Sequence, residues 1–403
     1  MSKFLNDNQQ SVATSIIAEP VHIWTLSFVL LCSANLIMFM STQMLFPSLP
    51  GYLLIIGGAP SDVGYVMGAY TIGATIIRPI SGWLVDKYGR KRLMIVGMLL
   101  MLGISFLYNH VRLINLMVLV RLLHGFAFGL ASTALSTIVV DNLPKSRLTE
   151  GMGYFGLTTS LSMALAPLIG FWLVGKSGYS TLFMGVCLFI TLAFGASLLV
   201  RSSGVPSNTE VISITSLWDS LVEKTALPAS GVMFFLALVY GAVLSFIPLY
   251  AAESGITNIG LFFTSLALTM LISRPISGRW ADQGGTNIVL FLGHLFIFAG
   301  MIITSLSDNI SDFLWAGAFI GLGFGFCLPT LQALSVSNAP ANRRGAATGT
   351  FFAVFDLGIG LGMIIWGHVV AATSYQTMYH ITLIPVVLAI VVCYRTVMLR
   401  SKP

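Results

Sequence analysis

Asp356 is the residue of this chain whose type and place point most directly to chemistry. It is a carboxylic acid eleven residues into an otherwise apolar run, 345–371. At 1.5 Å of rise per helical residue this is a depth of about 16 Å, near the middle of a hydrocarbon core about 30 Å thick. An ionisable group at that depth costs about 2.5–3.5 kcal/mol on insertion scales, so it is a functional candidate by default. The chemistry open to it is proton uptake and release, because desolvation favours the neutral carboxyl and an approaching cation favours the charged one. Arg121, within the apolar run 115–140, or a cationic substrate could make that approach. The competing reading is a structural acid paired permanently with a neighbouring helix. A second pattern is the pentad RPISG at 78–82, which returns at 274–278 after a shift of 196 positions, each copy followed four residues on by an acid, Asp86 and Asp282. Arg78 and Arg274 precede proline at matched places, near enough to a membrane surface to snorkel, and a structural role is the stronger expectation for both. Gly278 and Asp282 belong to the same repeat.

These residues must be positioned by a membrane architecture. Of 403 residues 56% are hydrophobic and only 8% charged, against roughly 25% charged in a soluble domain, and the mean hydropathy is +0.90. Apolar runs of about 20 residues occur twelve times: 24–46, 62–85, 93–109, 115–140, one ending near 174, 179–200, 229–250, 258–281, 287–306, 312–337, 345–371 and 377–399. The motif FPSLPG after the first run reads as an outward loop. The polar, proline- and serine-containing stretch 202–227 is too long for an ordinary helix connection and reads as a cytoplasmic linker, with room for a short amphipathic helix near 217–222. The expected organisation is a cytoplasmic tail over 1–23, a six-helix bundle over 24–201, the linker, and a second six-helix bundle over 228–399.

The basic pI near 9.2 has a topological explanation. Arg78, Arg112, Arg121, Lys176 and Arg274 lie in spans or opposite turns, and the other 15 of 20 lysines and arginines fall in the tails and alternate loops, which the positive-inside rule assigns to the cytoplasm. Both termini are expected there, and no nucleic-acid partner is needed. Cys32, Cys187, Cys327 and Cys393 fall in apolar spans without metal spacing and read as small hydrophobes. The stretch GFWLVGKS at 170–177 matches a phosphate-loop pattern, but such a loop must follow a strand and open a helix, whereas this one ends a membrane span. No HExxH, GxSxG or clustered metal-ligand motif occurs, so no catalytic residue, metal or cofactor is expected.

The 196-residue shift extends beyond RPISG. Gly125, Phe128 and Gly129 superpose on Gly321, Phe324 and Gly325, and Asn142, Pro144, Arg147, Gly153 and Phe155 on Asn338, Pro340, Arg343, Gly349 and Phe351. A repeat of six spans keeps the same side towards the cytoplasm, so the halves are parallel repeats about an axis along the membrane normal. That arrangement favours a rocking carrier over a pore.

The loop between the second and third runs carries its own physics. Gly82 would permit close helix approach, Gly89 the backbone bend after the span, and Asp86 at a helix end opposes its own helix dipole and needs compensation. Arg90 could supply a charge-assisted bond; alternatively Lys87, Arg90, Lys91 and Arg92 only set topology. Gly82, Asp86, Gly89, Arg90 and Lys91 match the G-x-L-x-D-x-x-G-R-K signature of the major facilitator superfamily, which the chain resembles over essentially its whole length. Arg121 with Gly125 resembles the R-x-x-x-G of a second family motif, with His124 where glutamine is usual. Ala166, Pro167 and Gly170 stand where drug/proton antiporters carry G-P-x-x-G-G, a departure that weakens the antiporter assignment.

The resemblance implies an all-α major facilitator fold of twelve transmembrane helices in two six-helix bundles. It also implies an inner latch of Asp86, Arg90 and Asp141 with the start of the eleventh span near Gly345, and a proton-coupling role for Arg121. The second copy of the loop lacks the basic cluster, so the gate should be asymmetric. Cavity-lining spans in this family nominate Asn35, Gln43, Tyr240 and Gln332 as substrate contacts; ordinary interhelical hydrogen bonding is the other use of such side chains. The implied protein is a monomer in a bacterial cytoplasmic membrane, with lipid around it, a small-molecule substrate and the proton as coupling ion. The leading expectation is efflux of small amphipathic molecules by alternating access; the alternative is uptake or facilitated diffusion of a sugar or other metabolite.

Overall fold

The computed structural model describes residues 23–144, 147–200, 222–340 and 343–398. The expected tail, most of the linker and its surface helix lie outside the described residues, as does the side chain of Asp86. In hydrocarbon every backbone polar group must be satisfied within its own segment, which favours helices. The described residues contain helices and turns and no strand. The first half comprises α1 (Leu26–Ile55), α2 (Pro60–Tyr88), α3 (Arg90–Leu107), α4 (Ile114–Asn142), α5 (Leu148–Ser177) and α6 (Tyr179–Leu199). The second comprises α7 (Leu227–Glu253), α8 (Gly260–Trp280), α9 (Thr286–Ser305), α10 (Ile310–Ser337), α11 (Arg344–Ala372), α12 (Tyr375–Ile381) and α13 (Leu383–Cys393), the last two forming one span that bends at Thr382. Among the described residues these helices make twelve rods, the last in two pieces, in the expected all-α architecture. Large apolar side chains such as Leu99, Leu188, Ile288, Phe291 and Trp315 point outward and exposed, as a lipid-facing surface requires.

Side-chain caps start several helices where the sequence provides them. The Thr25 hydroxyl accepts from Phe28 N at 3.2 Å, Asn309 Oδ1 from Asp312 N at 3.1 Å, and Ser374 Oγ from Thr377 N at 3.1 Å, each satisfying an amide left open at a helix start. Gly89 separates α2 from α3 at φ 92°, the bend expected of it. The first apolar run ends differently from its reading. FPSLPG is not a loop: α1 continues through Pro47 and Pro50 to Ile55, and residues 46–50 are all buried. Proline usually breaks a helix by removing one amide and clashing one turn back. Here burial of the whole segment outweighs that penalty. The phosphate-loop lookalike lies wholly within α5, with no strand before it.

The repeat holds in three dimensions as well as in sequence. At Gly125 on α4 a Cβ would run into the carbonyl oxygen of Tyr70 on α2, and at Gly321 on α10 into that of Leu266 on α8. Both the glycines and their partners are 196 residues apart. Gly129 and Gly325 likewise face Ile77 and Ser273, again related by the same shift. The halves therefore share one helix-packing scheme, in which small residues let backbones meet.

Between the halves, α2 packs along α11 and α5 along α8. Near the turn at 56–59 this seam is shut. A Cβ at Gly68 would lie 2.7 Å from Gly360 O and one at Gly367 2.7 Å from Pro60 O, and Tyr65 Oη and His368 Nε2 are 3.1 Å apart across it. Towards the opposite face, that of Gly89, the pseudo-equivalent pairs Gly82 with Gly278 and Gly153 with Gly349 meet nothing within 4 Å among the described residues. Gly82, expected to support close helix approach, faces open space here, because the seam is parted at its level.

Candidate functional site

The place where the closed part of the seam ends is marked by the two RPISG arginines. Arg78 Nη2 lies 2.9 Å from Asp356 Oδ2, joining α2 to α11 across the halves, with side chains 32% and 16% exposed. The contact is an ion pair at close range without an aligned hydrogen bond, since Arg78 Nε and Asp356 Oδ2 are both buried and make none. Arg274 Nη1 donates to Ser160 Oγ at 2.6 Å, joining α8 to α5. Both arginines thus bridge the halves within the membrane rather than snorkelling to its surface. The cation brought to Asp356 is Arg78, and Arg121 is held elsewhere.

Arg121 is fully buried on α4. Its guanidinium carbon sits 4.4 Å from the ring centroid of Tyr70 and 5.3 Å from that of Phe46, with Nη2 3.9 Å from Met67 Sδ. Attraction to aromatic faces offsets part of the desolvation cost of a cation. Nε and Nη1 have no hydrogen-bond partner, and among the described residues no carboxylate lies within ion-pair reach. One turn on, His124 Nδ1 is 2.9 Å from Tyr108 Oη while Nε2 is unpaired. The second half has no copy of this cluster: the 196-residue shift takes Arg121 to Gly317 and His124 to Ile320.

At the Gly89 face, Arg90 pairs with Asp141 at the end of α4, which brings two members of the expected latch together. Lys91 is engaged differently, its Nζ donating to Leu198 O at 3.0 Å, where a cation complements the negative end of α6. Asp282 is exposed in the turn after α8. Among the four cavity candidates, Asn35 Nδ2 donates to Thr158 Oγ1 at 2.8 Å and Thr159 Oγ1 at 3.1 Å, tying α1 to α5. Tyr240 is buried against Phe324 and Phe355, the latter adjacent to Asp356. Gln43 and Gln332 are partly exposed and their amides have no partner among the described residues, so they remain free to meet a ligand. No group of three potential metal ligands occurs among the described residues. Ser160 and the aromatic cage of Arg121 were not nominated from sequence. Applying the 196-residue shift to Asp356 points to Ser160, and that signal was available.

A family model described as Major Facilitator Superfamily matches residues 31–363 and 234–403. The chain belongs to the major facilitator superfamily. Within it, the chain is 24% identical over 343 residues to the staphylopine export protein of Staphylococcus aureus, covering 80% of this chain and 84% of that one. It is 26% identical over 362 residues to the multi-drug resistance efflux pump PmrA of Streptococcus pneumoniae, covering 84% and 87%. Among solved structures it superposes on a variant of the nucleoside transporter NupG with a TM-score of 0.77 at 15% identity, covering 91% of this chain and 99% of that one; at that identity the likeness is one of fold. This major facilitator protein is therefore a multi-pass membrane transporter, similar in sequence to efflux members.

One contact outside the membrane ties the end of the linker region to α11. Arg343 Nε pairs with Glu223 and its Nη2 donates to Val222 O at 3.1 Å, while Glu223 N donates to Thr350 Oγ1 at 2.9 Å. Arg343, with the Thr225 amide and hydroxyl, holds the Glu223 carboxyl below its ordinary value. A carboxylate depressed in the folded state contributes stability above its unfolded value of about 4.3 and loses it as pH falls through the folded value. Hydrogen-exchange protection of residues 222–226, corrected for intrinsic rates, should therefore hold at neutral pH and fall below about pH 4. Glu223→Gln should show the weaker protection at neutral pH and converge with the wild type once Glu223 is protonated.

Proposed function

We propose that this protein is a proton-coupled exporter of small amphipathic molecules working by alternating access in a bacterial cytoplasmic membrane, as a monomer with both termini inside. The observation that carries the reading is the Arg78–Asp356 ion pair spanning the two halves at the point where their seam parts. Protonation of Asp356 removes the negative partner and leaves α2 and α11 free to part. Deprotonation restores the attraction. Such a contact couples proton occupancy to the relation between the halves, which coupling by population shift requires. Arg121, caged and without a carboxylate, supplies a fixed positive charge that disfavours a second proton nearby.

The basic loops support a cytoplasmic Gly89 face, on which reading the parted seam opens inward. Arg90, paired with Asp141, supports one half of an inner latch that would meet α11 when the seam closes on that side, with Asp86, four residues before Arg90 in sequence, as its further member. In inside-out vesicles acidified within, a panel of fluorescent amphipathic dyes should accumulate, and an uncoupler should release them. Uptake that runs only down the dye gradient, or only into right-side-out vesicles, would favour the metabolite-uptake reading instead.

A further inference from the structure

The two inter-half contacts occupy equivalent positions and are unequal in charge. The 196-residue shift relates Arg78 to Arg274 and Ser160 to Asp356, so Arg78–Asp356 and Arg274–Ser160 are one contact made twice. The first balances a guanidinium with a carboxylate. In the second a serine hydroxyl stands where the carboxylate belongs. Arginine remains charged and presents five donors, against which a hydroxyl offers an acceptor and no charge. Arg274 Nε is buried and unpaired, and among the described residues no acid lies within ion-pair reach of Arg274.

An uncompensated cation at that depth is costly, and there is room beside it for a partner. Gly278 lies one turn beyond Arg274 on α8 and Gly156 one turn before Ser160 on α5, both towards the parted face, and a Cβ at either would meet nothing within 4 Å among the described residues. Residues four apart share a helix face, so the space opens next to the guanidinium and the hydroxyl. The twin shows what such an arginine takes in this setting, namely one carboxylate.

We propose that Arg274 and Ser160 are the seat for a carboxylate of the transported molecule, which takes the place that Asp356 occupies in the twin contact. The substrate class is then small organic acids, including zwitterions, carrying an apolar portion. Tyr240 packs on Phe324 and Phe355, the latter next in sequence to Asp356 of the twin contact, so aromatic surface lies along the same seam. This rests on the transport reading only in supposing that the open seam admits a substrate.

The test is equilibrium binding, which depends on neither the direction of transport nor its driving force. Purified full-length protein is screened by thermal shift against a panel of aryl and alkyl carboxylic acids, each beside its methyl ester and its phosphonate. One or more acids should stabilise the wild type, with the ester inert and the phosphonate weaker. Loss of a charge-assisted bond predicts at least a tenfold drop in affinity for Arg274→Gln, and Arg274→Lys should fall between. Ser160→Asp supplies the missing carboxylate internally; it should keep or raise the melting temperature of the unliganded protein while abolishing acid binding, which separates a blocked seat from a failed fold. The proposal is overturned if no acid binds, if esters or phosphonates bind as well as acids, or if acid binding survives Arg274→Gln. If acids bind as described but no pH-driven export is seen, the seat stands and the export reading fails. Dye export without acid binding does the reverse.

Discussion

Replacing Asp356 with asparagine is expected to reduce transport driven by a pH gradient by about two orders of magnitude or more, the scale on which loss of a positioned proton-transfer group is felt, while the protein still folds and inserts. The substitution keeps the shape of the side chain and removes both its charge and its titration. Breaking a fully buried pair costs about 3–5 kcal/mol, but Arg78 here is 32% exposed and can turn to water, so the stability cost should be well below that range. Counterflow exchange of substrate at equal pH should survive in the variant, since that cycle needs no net proton movement. Asp356→Glu should retain part of the pH-driven activity. Undiminished pH-driven transport in Asp356→Asn would reduce the pair to a structural tie, the competing role considered for this acid from the start.

The second large effect concerns the packing of the repeat. A methyl group at Gly125 collides with the Tyr70 carbonyl, and one at Gly321 with that of Leu266. Backbone atoms cannot rotate away as a side chain can. Overpacking of this kind typically costs about 1–3 kcal/mol, and Gly125→Val should reach or exceed the upper end, seen as a drop of many degrees in thermal unfolding in detergent. Gly321→Val should behave alike, because the contact is the same one. Gly195 on α6 has nothing within 4 Å; Gly195→Ala should leave stability unchanged or raise it by about 0.5–1 kcal/mol, the usual helix penalty of glycine over alanine. Equal tolerance at Gly125 and Gly195 would mean that α2 and α4 do not meet as described.

Much of this was legible in the chain, for identifiable reasons. Apolar run length fixes the spans because hydrocarbon thickness does, and the single offset of 196 foretold that Gly125 and Gly321 would do the same job. Run length misplaced the end of α1, since Pro47 and Pro50 are loop residues by local preference and helical only because the whole segment is buried. Partner identity was the harder matter. Arg121 is a candidate companion for Asp356 as a cation within an apolar run, but membership of a run says nothing about which helices touch. The crossing of α2 on α11 brings Arg78 to the acid, while Arg121 turns into Phe46 and Tyr70. Asn35 shows the same gap: its run is readable as a span, yet the rotation of α1 about its axis, which no single run encodes, turns its amide to Thr158 and Thr159.

The inequality between the twin contacts also bears on how the membrane potential acts on the cycle. Arg78–Asp356 is neutral when charged on both sides, and Arg274–Ser160 becomes neutral only when loaded with an anion. A cycle that brings one proton inward on the first and carries one carboxylate outward on the second displaces two elementary charges in the same electrical sense. Each is worth about 2.3 kcal/mol per 100 mV, so voltage, negative inside, would drive both movements together. On the export reading proposed above, the serine at position 160 leaves Arg274 to the carboxylate of the cargo, and the resting voltage of the cell would then drive both movements.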